Sequence, residues 1–225
     1  MFQGFSSETI DFLWGIRMNN ERSWFLAHKQ DYQTYLYEPM KELANEVWEE
    51  LNQEFQDYGL TTKVARIYRD VRRVHHGGPY KEHLWFVVRK PVEDWTATPA
   101  FYFEVMPEGY EYGMGYYCAR PIQMEIYRRR IQREPKELEQ LAKKLNGQSE
   151  FVLEGDEYKR SKGEVSELLK PWYNRKSVAL TCTRGPDELF TSPELKDQVV
   201  EGFRWLMPYY DYFRRLEQEP IPESF

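Results

Sequence analysis

Cysteine and histidine are scarce in this chain, which has 2 Cys and 4 His among 225 residues. A structural zinc scaffold or a disulfide framework needs more Cys than this. Cys118 and Cys182 lie 64 positions apart with no local pairing pattern, so both are expected as reduced thiols in apolar strands. No apolar run approaches the roughly 18–20 residues of a membrane-spanning helix. Met1-Phe2-Gln3-Gly4-Phe5 has no basic region and no apolar stretch before Glu8 and Asp11, so no export signal is expected and the expected compartment is the cytoplasm. An excess of positive charge is also lacking. The 31 Lys+Arg stand against 37 Asp+Glu, a formal charge of −6, which disfavours a polybasic nucleic-acid coat. There is no Gly-rich phosphate loop. Gly113-Met114-Gly115 is half of a dinucleotide fingerprint and follows a hairpin, so it reads as strand glycines at a bulge or close contact. No cofactor and no metal are expected: His75-His76 would point apart on a strand and lack further ligands.

What the chain does have is aromatic rings. Trp, Tyr and Phe make up 16% of it. Each ring can bury roughly 150–250 Å², so aromatics substitute for a modest aliphatic core, and bulk disorder is excluded.

The hydrophobic spacing divides the chain in three. Residues 6–58 read as helical. Ser6 or Ser7 caps a helix over 6–17, Asn20 is a plausible cap for a second, Pro39 marks a kink or restart, and Leu43, Val47, Leu51 and Phe55 recur every four residues up to Asp57-Tyr58-Gly59. Residues 63–118 are rich in β-branched and aromatic side chains. Strands are expected at Lys63–Tyr68, Leu84–Arg89, Ala100–Met106 and Tyr110–Cys118, with Pro107-Glu108-Gly109 as a hairpin turn. Residues 121–216 return to helix, split at Pro135 and closed at Gly147. A short strand is expected at 151–153, a short helix at 164–169, a strand at 177–181 and a closing helix over 192–216. The irregular order of helices and strands predicts an α+β fold over 1–225. It is a single domain with a mainly antiparallel sheet of about four to six strands packed against several helices.

Charge is unevenly spread. Residues 38–57 carry seven acids and one Lys, whereas residues 63–90 carry eight Lys or Arg and two acids. Binding follows local potential rather than the total. Within the basic stretch, a strand over 66–72 places Arg66, Tyr68, Asp70 and Arg72 on one face. Arg69 falls on the other. Two Arg flanking one Asp leave one net positive charge, and guanidinium groups present paired donors suited to phosphate or carboxylate. The loop that follows, His75 to Lys81, adds backbone N–H groups at its glycines, the Tyr80 ring and the Lys81 cation. A second basic motif lies at Lys159, Arg160 and Lys162. The alternative is a structural Arg–Asp–Arg network in the first segment and a solvated turn in the second.

The segment Arg66-Ile67-Tyr68-Arg69-Asp70-Val71-Arg72 with Pro79-Tyr80-Lys81 resembles the signature of a widespread, mostly bacterial family known only as a domain of unknown function. Asn19-Asn20 with Trp24-Phe25, Lys29 and Tyr32 is similar to its N-terminal motif. Gly113 to Tyr116 with Arg128 and Ile131 is similar to its hairpin and following helix, and Gly155 to Gly163 to its second basic motif. The resemblance covers nearly the whole chain and implies one α+β domain. It implies no activity. The expectation for function is a small phosphate- or carboxylate-bearing ligand held at Arg66, Tyr68, Arg69, Asp70, Arg72, Tyr80 and Lys81, with Lys159, Arg160 and Lys162 as a second wall. Whether the pocket is catalytic stays open. Two other readings stand beside it: a non-catalytic protein-interaction domain, and, as a minor option, single-stranded nucleic-acid binding.

Overall fold

The Phe12, Leu13 and Ile16 spacing forms helix α1 (Ser7–Met18), with Thr9 buried on the same side. Ser6 occupies the N-cap, and its N–H donates to Thr9 Oγ1 at 3.2 Å. Helix α2 (Arg22–Ala27) is preceded by Glu21 at its N-cap, not Asn20 as the sequence suggests, because the Asn20 side chain is engaged by Tyr80. A single turn, α3 (Lys29–Asp31), leads into a π-helical stretch, Tyr32–Tyr37, and then α4 (Glu38–Glu54). Pro39 lies in the first turn of α4, directly after the π-helical stretch, so it marks a change of helix type within a continuous helical run. Met40, Leu43, Val47 and Leu51 form its buried stripe, which packs on β1 and β2. The structure, a computed structural model, describes residues 1–70 and 78–221.

Six strands make one open antiparallel sheet: β1 (Thr61–Val64), β2 (Leu84–Arg89), β3 (Pro99–Met106), β4 (Gly109–Tyr116), β5 (Val152–Glu154) and β6 (Ala179–Arg184). The spatial order is β1-β2-β3-β4-β6-β5. Thr61 pairs with Arg89 and Val64 with Phe86 at one edge, and Val152 pairs with Thr181 at the other. The first strand is shorter than expected. Ladder pairing stops at Val64; Ala65 N–H still donates to the Trp85 carbonyl at 2.8 Å, and further on Tyr68 and Tyr80 form an isolated antiparallel bridge. Gly113 and Gly115 are close-contact glycines. A Cβ on Gly113 would collide with the Leu180 carbonyl, and one on Gly115 would meet the Ala179 backbone at 2.7 Å.

Glu134 separates α5 (Pro121–Arg133) from α6 (Pro135–Asn146), with the break at the proline as expected. The helix expected over 164–169 does not form. Instead α7 (Lys170–Tyr173) starts at Lys170, with Pro171 in its first turn. The closing helix α8 (Leu195–Arg215) carries Pro208 inside it.

The fold is a single α+β domain that divides into two compact units. The first comprises Met1–Lys90, Tyr102–Tyr112 and Thr183–Gly202. Its core is a chain of rings: Phe5 stacks on Phe190 at 5.0 Å and on Phe103 at 6.0 Å, and Phe103 stacks on Phe86 at 5.6 Å. The second comprises Pro91–Phe101, Gly113–Cys182 and Phe203–Phe225. There Phe101 stacks on Tyr210 at 4.8 Å, and Tyr127 packs against Phe213 at 5.5 Å. These rings supply what the thin aliphatic content cannot, at about 1.5–3 kcal/mol for each fully buried side chain. The two thiols differ from expectation. Cys182 is buried, but Cys118 lies just past the end of β4 and is exposed. No helix among the described residues is long and apolar enough to cross a membrane.

Candidate functional site

The basic segment and the loop returning to β2 are held together by three kinds of bond. Lys81 N–H donates to the Ile67 carbonyl at 2.7 Å, and Arg69 N–H donates to the Pro79 carbonyl at 2.8 Å. These two bonds frame the Tyr68–Tyr80 bridge. The Asn20 carboxamide then pairs with Tyr80 from the other side. Its Nδ2 donates to Tyr80 O, and its Oδ1 accepts from Tyr80 N, both at 3.0 Å. Gly78 makes this approach possible, because any Cβ there would run into the Asn20 side chain. Ring packing completes the frame. Phe25 stacks on Tyr80 at 4.2 Å, and Tyr68 lies 5.4 Å from Tyr80.

The alternation expected of a strand survives in side-chain direction even though regular pairing does not. Ile67 is fully buried, whereas Arg66 and Tyr68 face solvent. Lys81 Nζ donates to the Arg66 carbonyl at 2.7 Å and lies 5.7 Å from the Trp85 ring. Burial pulls the Lys81 ammonium below its ordinary pKa. The Arg66 and Arg69 guanidiniums pull it further down, and Glu104 opposes them. The Arg66 side chain forms no ion pair among the described residues. Tyr80 is raised above its ordinary pKa, chiefly by burial. Asp70 is half-buried and engaged in an interaction of its own. Arg72 lies outside the described residues.

Arg69 does not share the face of Arg66. It reaches Glu82 at 3.3 Å, on the wall of a cavity of about 230 Å³. Arg17 of α1 enters the same cavity. Its Nε donates to Glu82 Oε2 at 3.0 Å, and its two terminal nitrogens grip Glu108. That grip holds the Glu108 carboxyl below its ordinary pKa and raises Arg17 above its own. His83 Nδ1 hydrogen-bonds the Glu104 carboxylate, and Met106 supplies an apolar wall. Two Arg thus face three Glu, and the cavity is a network of paired charges rather than a basic pocket. Sequence reading misses Arg17, Glu82, His83, Glu104 and Glu108 because they come from separated segments with no local motif. The only hint is that Glu104 interrupts an apolar strand.

The second basic motif belongs to the second unit. Lys159 and Arg160 are exposed. Lys162 Nζ lies 4.3 Å from the centre of the Tyr158 ring, which the Arg128 guanidinium also approaches, at 5.5 Å. The loop is pinned by its backbone: Lys162 N–H donates to Asn174 Oδ1 at 3.0 Å, and Gly163 packs against the Tyr173 hydroxyl.

Among the described residues, no three His, Cys, Asp or Glu side chains converge closely enough to hold a metal ion. No curated protein matches the chain in a sequence comparison. The model of one family, described as a conserved hypothetical protein, matches residues 8–212. That span takes in the Asn20–Tyr80 clasp, the glycines of β4 and both basic motifs, and the chain belongs to this family, DUF2461.

Proposed function

We propose that the first unit binds a small phosphate- or carboxylate-bearing ligand on the face formed by Arg66, Lys81 and Tyr68, with Arg69 and Tyr80 behind it. The observation that carries this reading is the crowding of like charge. Lys81 is half-buried beside two guanidiniums that depress its pKa, and Arg66 has no carboxylate partner among the described residues. An anion at that point would remove the mutual repulsion, and guanidinium and ammonium donors would hydrogen-bond it directly. Glu104 offsets part of the positive field and leaves Arg66 and Lys81 as the net charge the ligand would meet.

The test is a thermal-shift titration of the full chain with inorganic phosphate, pyrophosphate and citrate at fixed ionic strength. Binding to the folded state raises the melting temperature in proportion to ligand concentration over Kd. Lys81→Ala and Arg66→Ala should abolish the rise. If none of the three anions raises the melting temperature, or if both variants keep the full rise, the reading fails.

A second reading, docking of a protein partner, is favoured by one observation. Trp14, Met18, Leu26 and Tyr68 are large apolar side chains left exposed in the first unit. A concentration-dependent mass in light scattering that is lost in Leu26→Ser and Trp14→Ser would support self-association through these side chains.

A further inference from the structure

Helix α1 and the segment from Trp24 to Tyr35 line an open cleft of about 320 Å³ that the anion reading does not use. Its walls follow from helical spacing. Phe12 projects from α1, while Trp24, His28 and Tyr35 recur at intervals of four and seven on the segment that faces it. Trp24 comes close because α1 has Gly15 at the crossing: a Cβ there would lie 2.5 Å from the indole. The Trp24 and Phe12 rings stand 5.6 Å apart and tilted, and the His28 ring stacks on Trp24 at 4.0 Å. His28 is fixed in that position by a 2.9 Å hydrogen bond from its Nδ1 to the Trp24 carbonyl.

The charge around this aromatic wall has one sign. Glu8 and Asp11 lie one helical turn apart on α1, and Asp31 faces them from α3. None of the three forms an ion pair among the described residues, and no Lys or Arg lines the cavity. The carboxylates are also spread around the opening rather than focused on one point, as the absence of any metal-holding group among the described residues requires. A small, strongly hydrated metal ion needs convergent oxygens at short distance. A large cation of diffuse charge does not. It gains from aromatic faces through their quadrupole and from carboxylates several ångströms away through Coulomb attraction.

The geometry points to a binding site for an organic ammonium group between α1 and α2, with Trp24, Phe12 and Tyr35 forming the wall and Asp11, Asp31 and Glu8 neutralising the charge. The site takes a positive ligand where the basic segment takes a negative one, so the two are tested separately.

The experiment is isothermal titration calorimetry of the full chain with tetramethylammonium chloride, n-butylammonium chloride and the neutral isostere tert-butanol, at matched ionic strength. At least one ammonium ion should bind saturably at one site per chain, and tert-butanol should not. Preference for tetramethylammonium assigns the site to a methylated head group; preference for n-butylammonium assigns it to a primary amine. Asp31→Asn combined with Asp11→Asn should weaken the binding at least fivefold, and Trp24→Leu should do the same. Because Trp24 also packs against Gly15 and Phe12, the carboxylate variants decide the matter if Trp24→Leu fails to fold. The inference is overturned if neither ammonium ion binds, if tert-butanol binds as well as they do, or if the Asp11/Asp31 double variant keeps full affinity.

Discussion

Asn20 holds Tyr80 as a neighbouring strand would, accepting from its N–H and donating to its C=O, each at 3.0 Å. Tyr80 is almost fully buried, so both backbone groups need partners inside the protein. Asn20→Ala should therefore cost about 2–3 kcal/mol, the sum of two lost hydrogen bonds at roughly 1–1.5 kcal/mol each. Gly78→Ala should cost a similar amount by driving a methyl group into the Asn20 carboxamide. In the Asn20→Ala background the carboxamide part of that clash is gone while the Asn20 backbone oxygen still crowds the methyl group, so the double variant should be less unstable than the sum. Urea unfolding midpoints of the four proteins measure this, and strict additivity would contradict the clasp.

Lys81 should react as an unusually nucleophilic amine. Burial and then Arg66 lower its pKa, which enriches the neutral form at mildly alkaline pH. A lysine whose pKa is lowered by folding subtracts stability while it is charged in both states. That loss is relieved as pH rises through its folded pKa. Arg66→Gln removes one of the depressing charges and should slow acylation of Lys81, read by peptide mass mapping at pH 8. Equal rates in both proteins would show that Arg66 does not act on Lys81.

Glu219 in the second unit titrates in the opposite sense. Hydrogen bonds from Arg133, and after them the charges of Arg133 and Arg130, hold its carboxyl below the ordinary value against a smaller effect of burial. The resulting stability is fully present above the unfolded carboxylate pKa and is lost as pH falls through the folded one. Glu219→Gln should lower stability at pH 7 and flatten the acid limb of the stability curve below about pH 4.5. Melting temperatures from pH 3 to 7 give the comparison, and parallel curves would refute it.

Gly113→Ala should be among the most damaging single-methyl changes in the sheet. Its Cβ meets the Leu180 carbonyl, a backbone atom that cannot swing aside. A loss of about 3 kcal/mol or more is expected, in the range reserved for steric overpacking. Chemical denaturation of this variant beside Gly147→Ala, whose Cβ would meet nothing closer than 3.5 Å, separates the clash from the general effect of removing a glycine.

The native protein should titrate one thiol with an aromatic disulfide reagent and two after denaturation, because Cys118 is exposed and Cys182 buried. Two fast thiols in the native state would place Cys182 at the surface.

Much of this architecture is legible in the amino-acid order alone. Periodicity places α1, α4 and the closing helix. Pro135 separates α5 from α6, and the Pro107-Glu108 turn joins β3 to β4. These features depend on interactions between residues a few positions apart, which a linear reading captures. Gly113 and Gly115 are legible as close-contact glycines, and a strand at β6 is expected, although the pairing of the two is not. The basic segment is likewise visible as charge, and its alternation as Ile67 inward and Arg66 and Tyr68 outward.

Partners distant in sequence are settled only by tertiary structure. Asn20 reads as a helix cap, yet it pairs with a backbone sixty positions away, because a buried Tyr80 peptide outcompetes a solvent-exposed helix start for its amide. The strand expected through Tyr68 ends at Val64, since regular pairing with β2 runs out there. Arg69 reads as part of a basic wall, yet it turns to Glu82 and joins Arg17, Glu108, His83 and Glu104 around one cavity. Composition and short-range pattern thus determine which residues are charged, aromatic or helical. Which charges neutralise one another, and which are left facing solvent, depends on long-range folding, because Coulomb and hydrogen-bond energies depend on distance in space and not along the chain.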